Sequence, residues 1–472
     1  MKQLKMLFLV FMAVSLFVGC GSDDAFNESG GGELISVEAI DEFENYEALE
    51  TYLNSLDGET NTMTSSLGSY DTMEYADAEG NSLAMNWIKI VDVFKKLMID
   101  TGLWQYLDLA VGVSRDKVTF KRDGTKDAET GLLVRRYRIG YFHDPVVILN
   151  HPTDTLRKNS PSSHTNEHNG WLDGTGSKLM ALWLAYMGFT VILPDYPGMG
   201  DNYEVHPYCL ASLGKSDAGM LDAVRKIEGF KESGNVYLLG YSEGGYVTLA
   251  AAKYMRNYPA KYTIKGVASL AGPHDLEGTM RDLMLNADQN YPTPYFLPYT
   301  IEGYSGGYPD VQEFKFDQAV VATPVIDDKP FYERLGPLLT GNYTGSVISN
   351  FMETVENYSG PLSITTHAFK AALKNNESLV RQKLTENTLP GKFTPISTTV
   401  YLFAHYKNDD CVPVGNILAV QADWKKYAKN VAFDVFESTD PFTEEDMGST
   451  HAAALPQAYV RSFKFILKQE GR

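Results

Sequence analysis

The sequence predicts the α/β class, a mainly parallel sheet covered by helices on both faces, on three observations. Strand-length apolar runs alternate with helical patterns. One of those strands ends in a glycine-flanked serine that opens a helix. Between Gly272 and Lys392 the alternation stops, and it then resumes, as an insertion into the sheet order would require.

Residues 81–113 carry apolar side chains at helical spacing, with Trp87, Ile88, Val91, Phe94 and Leu97 on one side. Runs of Val, Leu and Ile at 118–121, 132–139 and 146–149 read as strands. A helix near 177–187 precedes a strand at 189–193, and a helix over 212–232 precedes a strand at 235–239. Then come a helix over 245–254, strands at 264–270, 398–403 and 431–436, and a final helix near 456–468. The inserted residues hold helical patches at 277–286 and 369–388, with an aromatic, proline-rich run near 291–309 between them.

Gly240-Tyr241-Ser242-Glu243-Gly244 lies between the strand at 235–239 and the helix that follows. Strand, G-x-S-x-G and helix make a tight turn that lifts one serine above a sheet edge. A Cβ at either flanking glycine would collide where strand and helix backbones meet. Gly303-Tyr-Ser305-Gly-Gly307 fits the same pentapeptide, but prolines precede it and no strand leads in. It reads as a loop, and Ser242 as the nucleophile.

A serine hydroxyl needs a base, and the base needs an orienting group. Behind such a turn the acid follows the serine and the histidine follows the acid. Asp409 and Asp410 stand just past the strand at 398–403, and Asp409 is favoured as the acid, with Asp410 as a turn residue. Of nine histidines only His451 lies after that loop, so it is the candidate base, and His405 reads as strand-end packing. Acyl transfer also needs N–H donors at the developing oxyanion. One is the amide of Glu243. The other comes from the loop after the strand at 146–149, with Thr153 first and His151 second, because Pro152 has no N–H.

Pro194-Asp-Tyr-Pro-Gly-Met-Gly200, His206-Pro-Tyr208, Leu221-Asp-Ala-Val-Arg225 and Gly240-Tyr-Ser-Glu-Gly-Gly245 resemble the secretory lipase family, lid-bearing α/β-hydrolases. The resemblance is strongest over 189–255, and the D-x-x-V-P run from Asp409 and the His451 motif extend it. It implies the α/β-hydrolase fold, carboxylic ester hydrolysis, a lid inserted before the acid-bearing strand and no cofactor. It also implies His-Gly-Thr in the oxyanion loop, where this chain has His151-Pro152-Thr153.

The organisation expected is a signal peptide over 1–19, an acidic tether over 20–80, a hydrolase core over 81–272 and 393–472, and a lid over 273–392. Lys2 and Lys5 precede an apolar run too short to span a bilayer, ending at Val18-Gly19-Cys20. That end resembles a bacterial lipobox, which implies cleavage before Cys20, a lipid on its sulfur and an exported protein anchored to the outer membrane. The rival is an ordinary secretory signal.

Sixty acidic residues against 41 basic give a net charge of −19, which argues against nucleic acid as a partner. Of three cysteines, Cys209 and Cys411 remain for a disulfide or, as the safer expectation, two separate buried thiols. His164 and His168, and Glu444-Glu445-Asp446, are read as solvated loops before metal sites. The substrate expected is a small-molecule or lipid ester. A peptidase on the same scaffold is the nearest rival, and a non-catalytic surface-binding lipoprotein a more distant one.

Overall fold

Nine strands form one sheet in the computed structural model, which describes residues 32–55, 87–122, 125–137, 143–163, 176–427 and 429–472. The strands are β1 (Gly32–Phe43), β2 (Gly112–Arg122), β3 (Glu129–Tyr137), β4 (Asp144–Asn150), β5 (Thr190–Pro194), β6 (Glu232–Tyr241), β7 (Ile264–Leu270), β8 (Val400–Tyr406) and β9 (Val431–Phe436). Their order is β1-β2-β3-β5-β4-β6-β7-β8-β9. From β5 to β9 every pairing is parallel, and β1, β2 and β3 extend the β5 edge antiparallel. This is the α/β-hydrolase architecture.

Alternation along each strand decides what covers it. On β4, Val146 and Ile148 face one apolar cluster and Val147 and Leu149 the other. The first cluster takes side chains from α4 (Gly214–Val224), α5 (Glu243–Met255) and α8 (Gly415–Trp424). The second takes them from α1 (Tyr46–Ser55), α2 (Trp87–Asp100), α3 (Ser177–Tyr186) and α9 (Thr450–Gln469). Burial on both faces explains why these strands read as continuous apolar runs.

The expected tether over 20–80 needs correction, because 32–43 is the edge strand β1; the helix α1 at 46–55 falls where residues 41–56 offer a short helix. Its acidic residues face outward or pair with the core. Arg115 on β2 is fully buried, and its Nε donates to Asp41 Oδ1 at 2.6 Å. Leu49 of α1 is buried against the second cluster. Cys20 and the rest of 1–31 lie outside the described residues, as do His164 and His168.

Between β7 and β8 the chain is helical, including α6 (Phe296–Gly307) and α7 (Leu379–Asn387). Its entry and exit are tied together. Leu389 N donates to His274 O at 2.9 Å, and Glu277 N to Thr388 Oγ1 at 2.9 Å. Tyr246 of α5 donates its hydroxyl to Asn387 O at 2.7 Å. Ser305 sits on α6, not in the loop expected. Pro298 falls in the first turn of α6, where proline is tolerated. Gly303 lies against Tyr208, with room for no Cβ: one built there would be 2.7 Å from Tyr208 N. The glycines of the second pentapeptide thus serve helix packing. Among the described residues no helix is long and apolar enough to cross a membrane.

Asp217 of α4 is fully buried, accepts from Asn150 Nδ2 at 2.8 Å, and has no partner for Oδ1 among the described residues. Burial pushes its carboxyl up to about 8. The folded state therefore keeps a proton that the unfolded chain releases above the ordinary value of 3.8. Stability should fall as pH rises through that window, by up to about 1.4 kcal/mol per pH unit. Asp217→Asn should remove this slope, raising Tm more near pH 8 than near pH 5 in thermal melts.

Candidate active site

Tyr241 ends β6 and Glu243 begins α5, so Ser242 is the whole turn between them. It takes φ 59° and ψ −125°, a left-handed conformation that costs about 1–3 kcal/mol and persists only where surroundings impose it. Those surroundings are backbone. A Cβ at Gly240 would lie 2.3 Å from Gly244 O, and one at Gly244 would lie 2.2 Å from Asn150 O. Ser242 N donates to Leu270 O at 2.9 Å, fixing the turn to β7. The serine is buried at the helix start, where the first amides have no intrahelical acceptor.

Asp409 and His451 meet, with His451 Nδ1 2.6 Å from Asp409 Oδ2. The other carboxylate oxygen accepts from Cys411 N at 3.1 Å and Val412 N at 2.7 Å. Burial pushes the Asp409 carboxyl up, but the His451 charge and hydrogen bonds from His405 and His451 outweigh it and hold it below the usual range. Asp409 is thus ionised at neutral pH. His405, expected only as packing, is buried at the end of β8 and bonds Val412 O at 2.6 Å, bracing the acid loop.

The far nitrogen of His451, Nε2, is buried with no partner among the described residues. The ring sits 4.9 Å from that of Tyr241, the residue before Ser242, and Tyr241 donates its hydroxyl to His451 O at 2.6 Å. The final helix begins earlier than expected, at Thr450, with Ser449 Oγ accepting from Ala452 N at 3.0 Å. His451 therefore stands on a capped first helical turn and not in a loop.

Asp410 has a function that sequence reasoning missed. Its carboxylate accepts Thr450 N at 2.9 Å and His451 N at 3.1 Å, while Asp410 N donates to Thr450 Oγ1 at 3.1 Å. One aspartate of the pair holds the ring and its neighbour holds the backbone that carries the ring. The adjacent carboxylates carried no signal of which would face the helix end.

The loop after β4 meets the elbow through Asn150. The His151 ring is pinned: Nδ1 lies 2.7 Å from Pro152 O, Nε2 lies 3.2 Å from Asp195 O, and the ring stacks 4.1 Å from Tyr196. Thr153 Oγ1 lies 3.0 Å from the Tyr208 hydroxyl. Pro152 therefore supplies an acceptor that fixes the loop. Cys209 and Cys411 are separate buried thiols. Among the described residues no three His, Cys, Asp or Glu gather as metal ligands.

A buried serine at a strained helix start, an ionised carboxylate and an imidazole with one open nitrogen can support nucleophilic attack on a carbonyl. Asp410→Ala should lower kcat about tenfold or more with little change in KM, since it frees the His451 backbone. Steady-state kinetics beside a thermal melt would check this.

The structure superposes on a protein from Legionella pneumophila, 21% identical, with a TM-score of 0.66 over 93% of this chain and 98% of that one. The rice cell wall degrading esterase LipA from Xanthomonas oryzae is 19% identical, with a TM-score of 0.64 over 91% and 96%. Candida antarctica lipase A in its closed state is 15% identical, with a TM-score of 0.50 over 70% and 73%. No curated protein matches the sequence at a significant level. The Alpha/beta hydrolase family profile matches residues 164–453, more than half of the sequence and a span that includes Ser242, Asp409 and His451, and the chain belongs to that family.

Proposed function

We propose that the protein hydrolyses carboxylic esters through an acyl-enzyme at Ser242. The observation that carries this reading is the His451 ring, bound to Asp409 at 2.6 Å through Nδ1 and, among the described residues, unpartnered at Nε2. That nitrogen is the one a serine hydroxyl needs. Ser242 Oγ attacks the ester carbonyl carbon while His451 Nε2 takes its proton. The oxyanion is met by the Glu243 N–H, backed by the start of α5, and by Thr153. The carbon–oxygen bond to the alcohol breaks, and the alcohol leaves with the proton from His451. Water then repeats the sequence on the acyl group and restores Ser242.

The helical insertion acts as a lid in this reading. Its α6 packs Phe296 and Tyr299 on Tyr208, with ring centroids at 6.0 and 5.0 Å, beside Thr153. Structural relatives named as an esterase and a lipase support esters over amides. We further propose export as a lipoprotein, with the lipid on Cys20 and the outer membrane as its site. Cys20→Ser should then move the protein from the membrane to the soluble fraction and abolish metabolic labelling with palmitate.

A fluorophosphonate should label Ser242 and no other serine, which peptide mapping by mass spectrometry would show. Labelling at Ser305, or none, would overturn the mechanism. Asp409→Asn should cut kcat on nitrophenyl esters by about 10³–10⁴ by leaving His451 in the wrong tautomer. A chain-length series of such esters, beside aminoacyl anilides, distinguishes esterase, lipase and peptidase.

A further inference from the structure

We propose that the sheet edge remote from Ser242 is a basic docking face for an anionic lipid surface, on which the protein rests with its catalytic edge turned outward. The proposal rests on the lipoprotein and ester-hydrolysis readings and adds the orientation of the site and the side from which substrate reaches it.

Strands β4 to β9 run parallel, so they all start on one edge of the sheet and end on the other. Ser242 and Asp409 follow the ends of β6 and β8 and lie on the ending edge. The helices between strands run back, so their last turns reach the starting edge. Residues 225–232, 253–265, 391–399, 423–430 and 464–472 occupy that starting edge and hold fourteen basic residues against four acidic. Residues 151–163, 195–206, 271–282, 407–414 and 437–450 occupy the catalytic edge and hold fourteen acidic against four basic. The net charge of −19 is thus unevenly spread, and the two edges have opposite signs. Three of the four acids on the basic edge are engaged. Glu232 accepts from Arg225 Nε at 2.7 Å, Asp423 from Gly391 N at 2.8 Å and Glu470 from Asn235 Nδ2 at 3.1 Å. Burial and then the Lys392 charge lower the Lys253 ammonium, so cations crowd each other there. Lys392, Lys425, Lys426 and Lys429 are exposed.

The chain that leads to Cys20 joins the body beside the same edge. Gly32, the first residue of β1, is packed on α4, and its carbonyl accepts from Lys226 Nζ at 2.6 Å. Lys226 stands just past the end of α4, among the basic residues. Cys20 is twelve residues before Gly32, and that length of chain spans at most about 43 Å. A lipid on Cys20 therefore holds the basic edge within reach of the headgroups. Anionic headgroups attract lysines over about one Debye length, about 8 Å at physiological salt. The ten residues of β6 set the two edges about 30 Å apart. The attraction thus acts on one edge alone, and the surface that draws it in repels the other. Without the acyl chain such a face gives weak, salt-sensitive binding, so it orients the protein and the anchor holds it. Ser242 then meets esters arriving from the aqueous side, not the acyl lipids of the layer beneath.

Vesicle sedimentation of the Cys20→Ser protein tests the face without the anchor. At about 20 mM salt it should bind vesicles of equal parts phosphatidylglycerol and phosphatidylcholine at least about tenfold better than phosphatidylcholine alone, and about 0.5 M salt should erase the difference. Lys425→Glu, Lys426→Glu and Lys429→Glu together should remove about tenfold of that binding. Lys315→Glu, Lys329→Glu and Lys407→Glu, an equal change of net charge on the lid and acid loop, should leave it unchanged. Thermal melts would show that both triple variants are folded. In the acylated protein on the same vesicles, a lipid-borne quencher should dim a fluorophore on Lys426→Cys and spare a fluorescent phosphonate on Ser242. No preference for anionic vesicles, equal losses in the two triple variants, or stronger quenching at Ser242 overturns the proposal. Retention on heparin without sedimentation assigns the face to a soluble polyanion and overturns it too. If the phosphonate fails to label Ser242 the ester reading falls, and if Cys20 takes no palmitate the anchor reading falls. Sedimentation decides the docking face in either case.

Discussion

The backbone contact between the end of β6 and the start of α5 is the constraint on which the site depends. Gly240 touches Gly244, Gly244 touches the chain leaving β4, and Gly245 touches the end of β7, where a Cβ would lie 2.4 Å from Leu270 O. Three neighbouring parallel strands thus converge on one turn. Ser269 on β7 adds a hydroxyl bond to Gly245 O at 2.8 Å. With no side chains between them, these backbones leave Ser242 no freedom to relax from its left-handed conformation. The serine is pre-set by main-chain packing, so its placement needs no flexible side-chain support.

The histidine is held in a different way, by charge. Two consecutive acidic residues hold it at different points. Asp409 orients the imidazole, and Asp410 binds the amides of the turn beneath it. Negative charge at a helix start is favourable by itself, because the first N–H groups there lack acceptors. The His451 charge and the hydrogen bonds from His405 and His451 outweigh burial and keep Asp409 ionised. The result is a stiff serine and a stiff imidazole, each anchored to a different part of the fold.

What could be read from the sequence is what is local. Glycine spacing around Ser242, the strand before it and the helix after it are all contained in some twenty residues, chain order selected His451, and the D-x-x-V-P spacing favoured Asp409 over Asp410. What escaped depends on partners far along the chain. The acidic run of β1 looks like a solvated tether until Arg115 is placed beside Asp41. The His206–Glu243 contact joins residues 37 apart in sequence, and nothing in either neighbourhood announces the other. For α6, prolines and glycines suggested a loop, and only the close seat of Gly303 on Tyr208 explains them as helix residues. Local punctuation marks tight contact, and it does not say whether a turn or a helix makes it.

The tie between His274–Glu277 and Thr388–Leu389 has an evolutionary meaning. Chain that departs and returns through hydrogen-bonded neighbours is a closed loop, whose closure cost changes only slowly with its length. Parts of the insertion that touch neither the sheet nor the acid loop can be lengthened or shortened while the sheet and the elbow keep their register. Length and shape can therefore drift on one part of the chain while the sheet is inherited unchanged on another.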